Sequence, residues 1–334
     1  MYIFIAGNSR SGTTMMSRIL GNHPDVFSFQ ELHFFDELIP AANSDSKLEH
    51  FPSVKLYATL CSIQRKGYFG DHKPTPFMKE AEQVFGLPGK HNVIQIYKNF
   101  LINETSANGK SIPCEQTPQN IFSLEEILKS IDDSRIIVMV RDPREVLLSQ
   151  KFKYKRRKLS GGKIPVWESI RSRINYHPVT ISKIWHAAVQ QGLRFSGDKR
   201  VMQIKYEDFL QNPVQVMREI CTHVNISYSD NLLDIPIVGS SNKSDSGNKR
   251  GIDSNKTGNW DKGGLNKTEI AICENINHNL MQQLGYPLSN NKAALILLMW
   301  YYILLPFKLA LALLFNLRRL KNPMKIWRRF TNSK

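Results

Sequence analysis

The first fourteen residues join a short apolar run to a loop that begins and nearly ends with glycine. Tyr2 to Ala6 form the run, and the loop reads Gly7-Asn8-Ser9-Arg10-Ser11-Gly12-Thr13-Thr14. Five apolar residues ended by glycine are typical of a buried strand, and a helical pattern follows to Gly21. The order of strand, G-x-x-x-x-G-x-T loop and helix predicts an anion-binding loop, in which glycines turn backbone N–H groups inward and the helix contributes its positive end. The alternative is an incidental turn with a capping hydroxyl.

The loop departs from that of nucleoside-triphosphate enzymes at one position. Those loops carry a lysine that reaches the β- and γ-phosphates, and here the position holds Thr13. Arg10 supplies a cation from within the loop, and its planar guanidinium suits a phosphate or a sulfonate. The sequence therefore gives little support to γ-phosphoryl transfer, although a small-molecule kinase stays open as an alternative.

Short apolar runs alternate with helical patterns along most of the chain. The runs Tyr2–Ala6, Ile136–Val140 and Val201–Ile204 precede helical patterns at Thr14–Gly21, Arg144–Lys155 and Pro213–Val224. This alternation predicts an α/β fold with a parallel sheet flanked by helices. We expect helical insertions over residues 40–110, a long polar loop over 239–266, and a helix over Thr268–Leu284.

A second motif follows the predicted strand Ile136–Val140. Arg141 stands at the carboxyl end of this strand, where open α/β sheets bind ligands, and Pro143 opens a helix. Ser149 follows Arg141 by eight residues, about two helical turns, so the two side chains can share one side of the helix. The alternative is a strand-end ion pair between Arg141 and Asp142.

These motifs resemble those of sulfotransferases that use 3′-phosphoadenosine 5′-phosphosulfate (PAPS), in the tyrosylprotein and bacterial glycan branches. The resemblance is carried by the run from Arg10 to Met16, by His23-Pro24-Asp25-Val26 and by Glu31. It implies a P-loop-like sulfotransferase fold over roughly residues 1–286, to which the sequence pattern adds the helical insertions and an apolar helical tail. It also implies that the 5′-phosphosulfate binds to the loop, that Arg10 holds the sulfonyl group and that Glu31 is the general base. The loop residues are Asn8, Ser9, Arg10, Ser11, Gly12, Thr13 and Thr14.

The later motifs extend the resemblance. Arg141 and Ser149 match the residues that bind the adenosine 3′-phosphate, and Lys256 loosely matches a basic segment that closes over PAPS. Many sulfotransferases have a lysine where this chain has Gln116, so the charge at the sulfonyl bridge must come from elsewhere, Arg10 included.

Glu31 lies among aromatic residues, between Phe29 and Phe34. Such surroundings can raise a carboxyl pKa, which suits proton abstraction from an acceptor alcohol. The alternatives are a first-turn helix carboxylate and a base role for His33, which we expect to point elsewhere on a short helix.

The net charge of +16 is concentrated in two stretches. Residues 141–173 contribute +8 and residues 316–334 contribute +7, so the chain favours anionic partners. Within the first stretch, residues 151–158 form either a solvated helix end, a mouth that attracts an anionic acceptor, or a nucleic-acid contact. The four cysteines show no pairing pattern, which favours a reducing compartment.

The C-terminal part changes composition after about residue 288. Residues 293–315 contain one charge, Lys308, and one proline, Pro306. The segment is long enough to span a membrane, but Pro306 divides it and Lys308 would lie near the middle. We expect a kinked helix that dips into one leaflet, with the basic end on anionic lipid. A spanning helix and a buried helical hairpin are the alternatives.

Together these patterns predict a sulfotransferase domain over residues 1–288 and a membrane-associating tail over 289–334. The expected enzyme transfers a sulfonyl group from PAPS to a hydroxyl or amine of a glycan, a glycolipid or a similar acceptor, and releases adenosine 3′,5′-bisphosphate (PAP). We expect no metal. Since no signal-peptide pattern is present, we expect the cytoplasmic face of the membrane. A P-loop kinase and a non-catalytic basic membrane-binding protein are the alternatives.

Overall fold

A five-stranded parallel sheet forms the centre of the computed structural model. The structure describes residues 1–39, 46–67, 73–86, 89–155, 158–159, 162–237, 250–289, 291 and 293–316. The strands of the sheet are β1 (Tyr2–Gly7), β2 (Val26–Ser28), β5 (Ile112–Gln116), β6 (Ser134–Val140) and β9 (Val201–Lys205). Two antiparallel ribbons of two-residue strands lie outside it: β3 (Lys47–Leu48) with β4 (His91–Asn92), and β7 (Lys158–Leu159) with β8 (Gly162–Lys163).

The helices cover both faces of this sheet. They are α1 (Thr13–Gly21), α2 (His50–Lys66), α3 (Met78–Phe85), α4 (Val93–Ala107), α5 (Leu124–Ser130), α6 (Pro143–Lys151), α7 (Val166–Asn175), α8 (Pro178–Arg194), α9 (Tyr206–Gln211), α10 (Pro213–His223), α11 (Lys267–Gln283) and α12 (Leu295–Asn316). The predicted α/β fold is confirmed, and α2, α3 and α4 are the expected helical insertions.

Alternation along the central strands builds one core on each face of the sheet. In β1, Phe4 and Ala6 face a core formed with helices α2, α4, α5 and α8, whereas Ile3 and Ile5 face a second core formed with α1, α9 and α10. Strand β6 alternates in the same way. Successive side chains of a strand point to opposite faces, and apolar residues at consecutive positions therefore specify a strand buried on both sides.

The order of the strands is β2-β5-β1-β6-β9. From β1 the chain first builds one side of the sheet, with β2 and β5, and then crosses to β6 and β9 on the other side. The carboxyl ends of β1 and β6 therefore border the crevice where ligands of open α/β sheets bind. The loop after β1 and Arg141 after β6 both lie at this edge.

Two predicted boundaries differ from the structure. The helix expected over Arg144–Lys155 ends at Lys151, and a 3-10 helix covers Lys153–Lys155. The first part of the expected polar loop, residues 239–249, lies outside the described residues, and the rest, 250–266, contains a short 3-10 helix at Ser254–Lys256.

Helix α12 is one continuous helix of 22 residues with Pro306 inside it, so the expected division at Pro306 is wrong. It is long and apolar enough to cross a membrane. A row at spacings of three and four is half-buried against the body of the protein, and most other positions are exposed, so the buried hairpin is also wrong. The half-buried row consists of Leu298, Tyr301, Leu305, Lys308, Ala312 and Phe315.

Candidate active site

The loop after β1 needs its two glycines for different reasons. Gly7 has φ +147°, and a Cβ there would lie 2.3 Å from the Met139 carbonyl oxygen on the neighbouring strand. Gly12 has φ +98°, and its Cβ would lie 2.5 Å from the Tyr206 ring. Arg10 itself has φ +79°, a left-handed conformation that is uncommon for residues other than glycine. The loop is therefore held tightly between β6 and α9, directly before the N-terminus of α1.

Unsatisfied polar atoms inside this loop fit an anionic ligand. The Ser11 side chain is fully buried, and its Oγ has no hydrogen-bond partner among the described residues. The same holds for the buried Nε of Arg141. Buried polar atoms are almost always satisfied; both of these can donate, and Ser11 directly precedes the N-cap of α1, the positive end of that helix. The phosphate and sulfonate oxygens of PAPS match such donors.

Arg141 connects three segments at the edge of the sheet. Its guanidinium donates to the Arg10 carbonyl at 3.2 Å, to the Lys256 carbonyl at 3.1 Å and to the Glu145 carboxylate at 3.1 Å. It also lies 4.4 Å from the centre of the Tyr206 ring. The alternative pairing with Asp142 is wrong, because the Asp142 carboxylate caps α6 and pairs with Arg144.

Arg10 and Ser149 meet directly. The Arg10 Nε donates to the Ser149 Oγ at 2.8 Å. The resemblance assigned Arg10 to the sulfonyl group and Ser149 to the 3′-phosphate, so the structure brings together two residues from separate parts of the expected site. This bond uses the Nε–H of Arg10, and a guanidinium has four further N–H donors on its terminal nitrogens.

The second half of the polar loop is anchored to α6. Glu145 accepts hydrogen bonds from the backbone N–H groups of Asn259 and Trp260. The Trp260 ring lies 3.8 Å from the Arg144 guanidinium. Lys256 reaches the site through its carbonyl group, which accepts from Arg141. This contact places the Lys256 backbone beside Arg141, and the role of Lys256 toward PAPS stays a prediction.

Glu31 and His33 form a pair, which corrects the expectation that His33 points elsewhere. The His33 Nε2 lies 3.4 Å from the Glu31 carboxylate, and its Nδ1 lies 3.1 Å from the Asp36 carboxylate. His33 has φ +52°, and the following helical turn, Phe34–Leu38, begins only after it. Glu31 therefore lies in a segment without regular secondary structure and not in a first helical turn, and the imidazole can fold back toward it.

This pair lowers the pKa of Glu31, whereas the sequence predicted that the pKa would be raised. Burial by itself raises the pKa of Glu31, but hydrogen bonds from His33 and Gln116, together with the positive charges of His33 and Lys153, outweigh it and lower the pKa. Burial also opposes the charging of His33, but hydrogen bonds to Asp36 and Glu31 raise its pKa to about 10. Near neutral pH the pair is a carboxylate and an imidazolium.

Gln116 joins the candidate base to the loop. Its amide donates to the Thr13 hydroxyl and to the Glu31 carboxylate, each at 3.4 Å. The preceding residue, Glu115, is buried and accepts hydrogen bonds from Thr117 and Asn120, and burial raises its pKa to about 7. Thr117 in turn accepts from the His33 backbone N–H at 3.3 Å. The end of β5 thus supports both members of the Glu31–His33 pair.

Lys153 is the cation that the sequence motifs did not assign to the site. Its side chain reaches solvent, yet it stands between protein groups that include Arg10 and Glu31. Partial removal from water and the positive charge of Arg10 lower the pKa of Lys153 to about 8. The sequence signal was the basic run over residues 151–158. Within that run Lys151 pairs with Glu269, whereas the charge of Lys153 acts on the candidate base, Glu31.

Potential metal ligands occur at one place among the described residues. Donor atoms of His33, Asp36 and Glu37 all lie within 4.8 Å of one another. Both ring nitrogens of His33 are already close to carboxylates. Because the raised pKa of His33 keeps a proton on each nitrogen, this imidazole is a poor ligand, since metal binding needs the neutral form.

The geometry therefore brings Asn8 to Thr14, Glu31, Gln116, Arg141, Ser149 and Lys256 to one edge of the sheet. The family model described as "Sulfotransferase family" matches residues 3–230. No curated protein sequence matches the chain at a significant level.

Two solved structures share the fold. The sulfotransferase domain from the olefin synthase of Synechococcus PCC 7002 has a TM-score of 0.53 and 19% identity, and the match covers 86% of this chain and 95% of that domain. The sulfotransferase domain from the curacin biosynthetic pathway has a TM-score of 0.52 and 20% identity, covering 86% of this chain and 98% of the other. These likenesses show the fold, and the family model, which matches more than half of the chain, establishes that the chain belongs to the PAPS-dependent sulfotransferase family.

Proposed function

We propose that this sulfotransferase acts on a hydroxyl or amine of a membrane-associated glycan or glycolipid, with Glu31 as the general base. One observation carries the assignment of the base: the Gln116 amide bridges the Thr13 hydroxyl of the anion-binding loop and the Glu31 carboxylate. A base that is hydrogen-bonded to that loop through Gln116 lies close to the place where the acceptor hydroxyl would lose its proton. Because its pKa is lowered, Glu31 is a carboxylate near neutral pH, the form that can accept a proton.

The loop residues Asn8 to Thr14, Arg141 and Ser149 would hold PAPS, and Lys256 would lie beside it. The buried Ser11 Oγ and Arg141 Nε are the donors that such a ligand would satisfy. PAPS supplies an activated sulfonyl group whose transfer leaves PAP. Gln116 is neutral where many sulfotransferases have a lysine, and Arg10 and Lys153 would supply the positive charge instead. Fixed charges of this kind stabilise a developing anion.

Glu31 accepts the acceptor proton, and His33 orients and stabilises the carboxylate before that transfer. A lowered pKa makes Glu31 a weak base, so its contribution depends on proximity to the acceptor more than on proton affinity. Asp36 fixes His33 from its other side. His33 is therefore a positioning residue in this scheme.

We further propose that α12 lies in the plane of the membrane and does not cross it. Tyr301 and Asn316 near the two ends of α12 both contact the body: His177 donates to the Tyr301 carbonyl at 3.1 Å, and Arg171 donates to Asn316 at 2.7 Å. A spanning helix would carry the charged α7 into hydrocarbon or lose these contacts. The proposal includes the boundary near residue 288 and the cytoplasmic membrane face.

Titration calorimetry with PAP tests the cofactor site. We expect metal-independent binding by the wild type and at least a tenfold loss in Arg141→Ala, because charge-assisted hydrogen bonds contribute about 1.5–3 kcal/mol each. Arg218→Ala, on the exposed side of α10, is the matched control and should bind as the wild type does. Binding of ATP with magnesium in place of PAP would favour the kinase alternative and contradict the proposal.

A further inference from the structure

Helix α7 separates the apolar face of α12 from the candidate acceptor side of the active site. One face of α7 contacts α12: the Trp167 ring stacks on Phe315 with centroids 5.0 Å apart, and Arg171 and Asn175 bond to Asn316 at 2.7 and 2.8 Å. These α7 residues are spaced four apart and thus lie on one side of the helix. Helix α12 is therefore docked along α7 and not merely near it.

The other face of α7 contacts the 3-10 helix that carries Lys153. The Arg173 guanidinium lies 5.4 Å from the centre of the Tyr154 ring. Arg173 follows Arg171 by two residues, which is about 200° around an α-helix. Arg171 and Arg173 thus mark opposite sides of α7. Since an α-helix with its side chains is about 10–12 Å thick, the two surfaces are about that far apart.

The exposed surface of α12 is apolar along its whole length. Its exposed large side chains are Leu295, Ile296, Leu297, Met299, Trp300, Tyr302, Ile303, Leu304, Phe307, Leu309, Leu311, Leu313 and Leu314, and α7 extends this surface with Val166, Trp167 and Ile170. The one charge of the helix, Lys308, belongs to the half-buried row that faces the body. An apolar surface of this extent marks an interaction site, and one helix lying flat with its only charge turned inward fits a lipid leaflet.

Positively charged side chains lie between the apolar surface of α12 and the candidate base, Glu31. The charge of Lys153 interacts with the charges of Glu31, Arg10 and Arg171. Arg173 stands beside them over Tyr154. If α12 lies at the depth of the acyl chains, Arg173 and the 3-10 helix that carries Lys153 lie on the other side of α7, about one helix thickness away, which is the level of the lipid headgroups. Positive groups at that level are attracted to anionic lipid.

We propose that the acceptor is an amphiphile held in the bilayer, whose reacting hydroxyl lies in the headgroup layer within a sugar or two of its hydrocarbon chains. The acceptor side of the site, at Lys153 and Glu31, faces that layer, and the acceptor keeps its chains in the leaflet while its headgroup reaches Glu31. This inference rests on the proposed function and names its substrate class. A long soluble polysaccharide would need no such arrangement.

Membrane depth measured from single labelled cysteines tests the geometry. All four native cysteines are buried, so a fluorophore can be attached at Leu311→Cys on α12, Lys155→Cys beside Lys153, or Glu219→Cys on α10 across the sheet. The labelled proteins are mixed with phosphatidylglycerol–phosphatidylcholine vesicles that carry nitroxide either on the headgroup or along the acyl chain. We expect acyl-chain quenching at position 311, headgroup quenching at position 155 and neither at position 219.

The outcomes separate this inference from the proposed function. Quenching at 311 without quenching at 155 would mean that the acceptor side faces away from lipid, and it would overturn the inference. Quenching at none of the three positions would overturn it as well. In either case PAP binding by the same samples still decides the sulfotransferase site. For the acceptor found by screening, we expect kcat/KM at least tenfold higher for the vesicle-held molecule than for its lipid-free headgroup. Equal values would also overturn the inference.

Discussion

At the scale of single residues, the environment of Glu31 defines the candidate chemistry. Its carboxylate contacts the His33 imidazolium and the Gln116 amide, and the positive charge of Lys153 also acts on it. These groups hold it ionised but reduce its basicity. The catalytic advantage must therefore come from position, and the loss of the carboxylate should affect turnover far more than binding.

Glu31→Gln tests this role. The amide keeps the size of the side chain but cannot accept the acceptor proton, so we expect turnover to fall by about 10²–10⁴-fold while PAP affinity stays within about twofold. Transfer of radiolabelled sulfonyl from PAPS to the acceptor measures the first quantity and calorimetry the second. Glu125→Gln, an exposed carboxylate on α5, is the control. Retention of turnover in Glu31→Gln would assign the base elsewhere.

Lys153 should give the enzyme an alkaline limit. Its pKa is lowered to about 8, so its positive charge is complete well below pH 8 and is lost as the pH rises through that value. We expect kcat/KM to fall over this interval in the wild type. In Lys153→Arg the fall should move to higher pH, because an arginine stays charged. Lys153→Gln should be slow at all pH values.

The pH profiles of these variants discriminate between two explanations. If Lys153 acts through its charge, the arginine variant retains activity above pH 8 and the glutamine variant shows no step there. An unchanged step near pH 8 in Lys153→Gln would mean that another group titrates. His33, with its pKa raised to about 10, loses its proton only at still higher pH. Its effect on kcat/KM should therefore appear as a separate fall at that higher pH.

At the scale of elements, the turn from β1 into α1 depends on close approach to its neighbours. Gly12 combines φ +98° with a ring of Tyr206 that would lie 2.5 Å from an added Cβ. Gly109 also has positive φ, +67°, but nothing lies within 4 Å of its Cβ position. The two glycines therefore separate backbone strain from steric contact.

Gly12→Ala should be more destabilising than Gly109→Ala. Both substitutions place an L-residue in the left-handed region, which costs about 1–2 kcal/mol. Only the first also displaces Tyr206, whose ring packs on the Arg141 guanidinium. We expect a lower urea midpoint and at least a tenfold loss of PAP affinity for Gly12→Ala, with unchanged affinity for Gly109→Ala. Equal effects on stability and binding would mean that the Tyr206 contact carries no weight.

The features that the sequence predicted are local. The apolar runs of β1 and β6, the glycine spacing and the Asp142-Pro143 helix start all lie within a few residues, so propensity and spacing suffice to identify them. The Glu31–His33 pair depends on the left-handed backbone at His33, and the position of Lys153 depends on where α6 stops. Such features result from tertiary packing, which has no short-range pattern. The face of α12 that packs on α7 falls between these two classes. Its residues have a regular spacing of three and four, but this spacing can be recognised only once α7 is known to lie beside it.

At the scale of the whole molecule, charge and apolar surface lie close together. Helix α12 ends at Asn316, and the eighteen residues after it contain seven basic residues and no acidic ones. If α12 lies in a leaflet, this basic segment begins at its surface. Apolar burial and attraction to anionic lipid should then contribute to binding as two separable terms.

Removal of residues 317–334 should separate these two terms. Each Lys or Arg near an anionic surface contributes about 1 kcal/mol, so we expect the shortened chain to bind phosphatidylglycerol vesicles at least tenfold more weakly at low salt. Binding to phosphatidylcholine vesicles should change little, because α12 is still present. At about 0.5 M NaCl, where screening acts within a few ångströms, the difference between the two chains should nearly disappear. Vesicle co-sedimentation measures all three quantities, with PAP affinity as the control for an intact body. An equal loss on both kinds of vesicle would show that the segment acts through its apolar residues or through α12, and not through its charge.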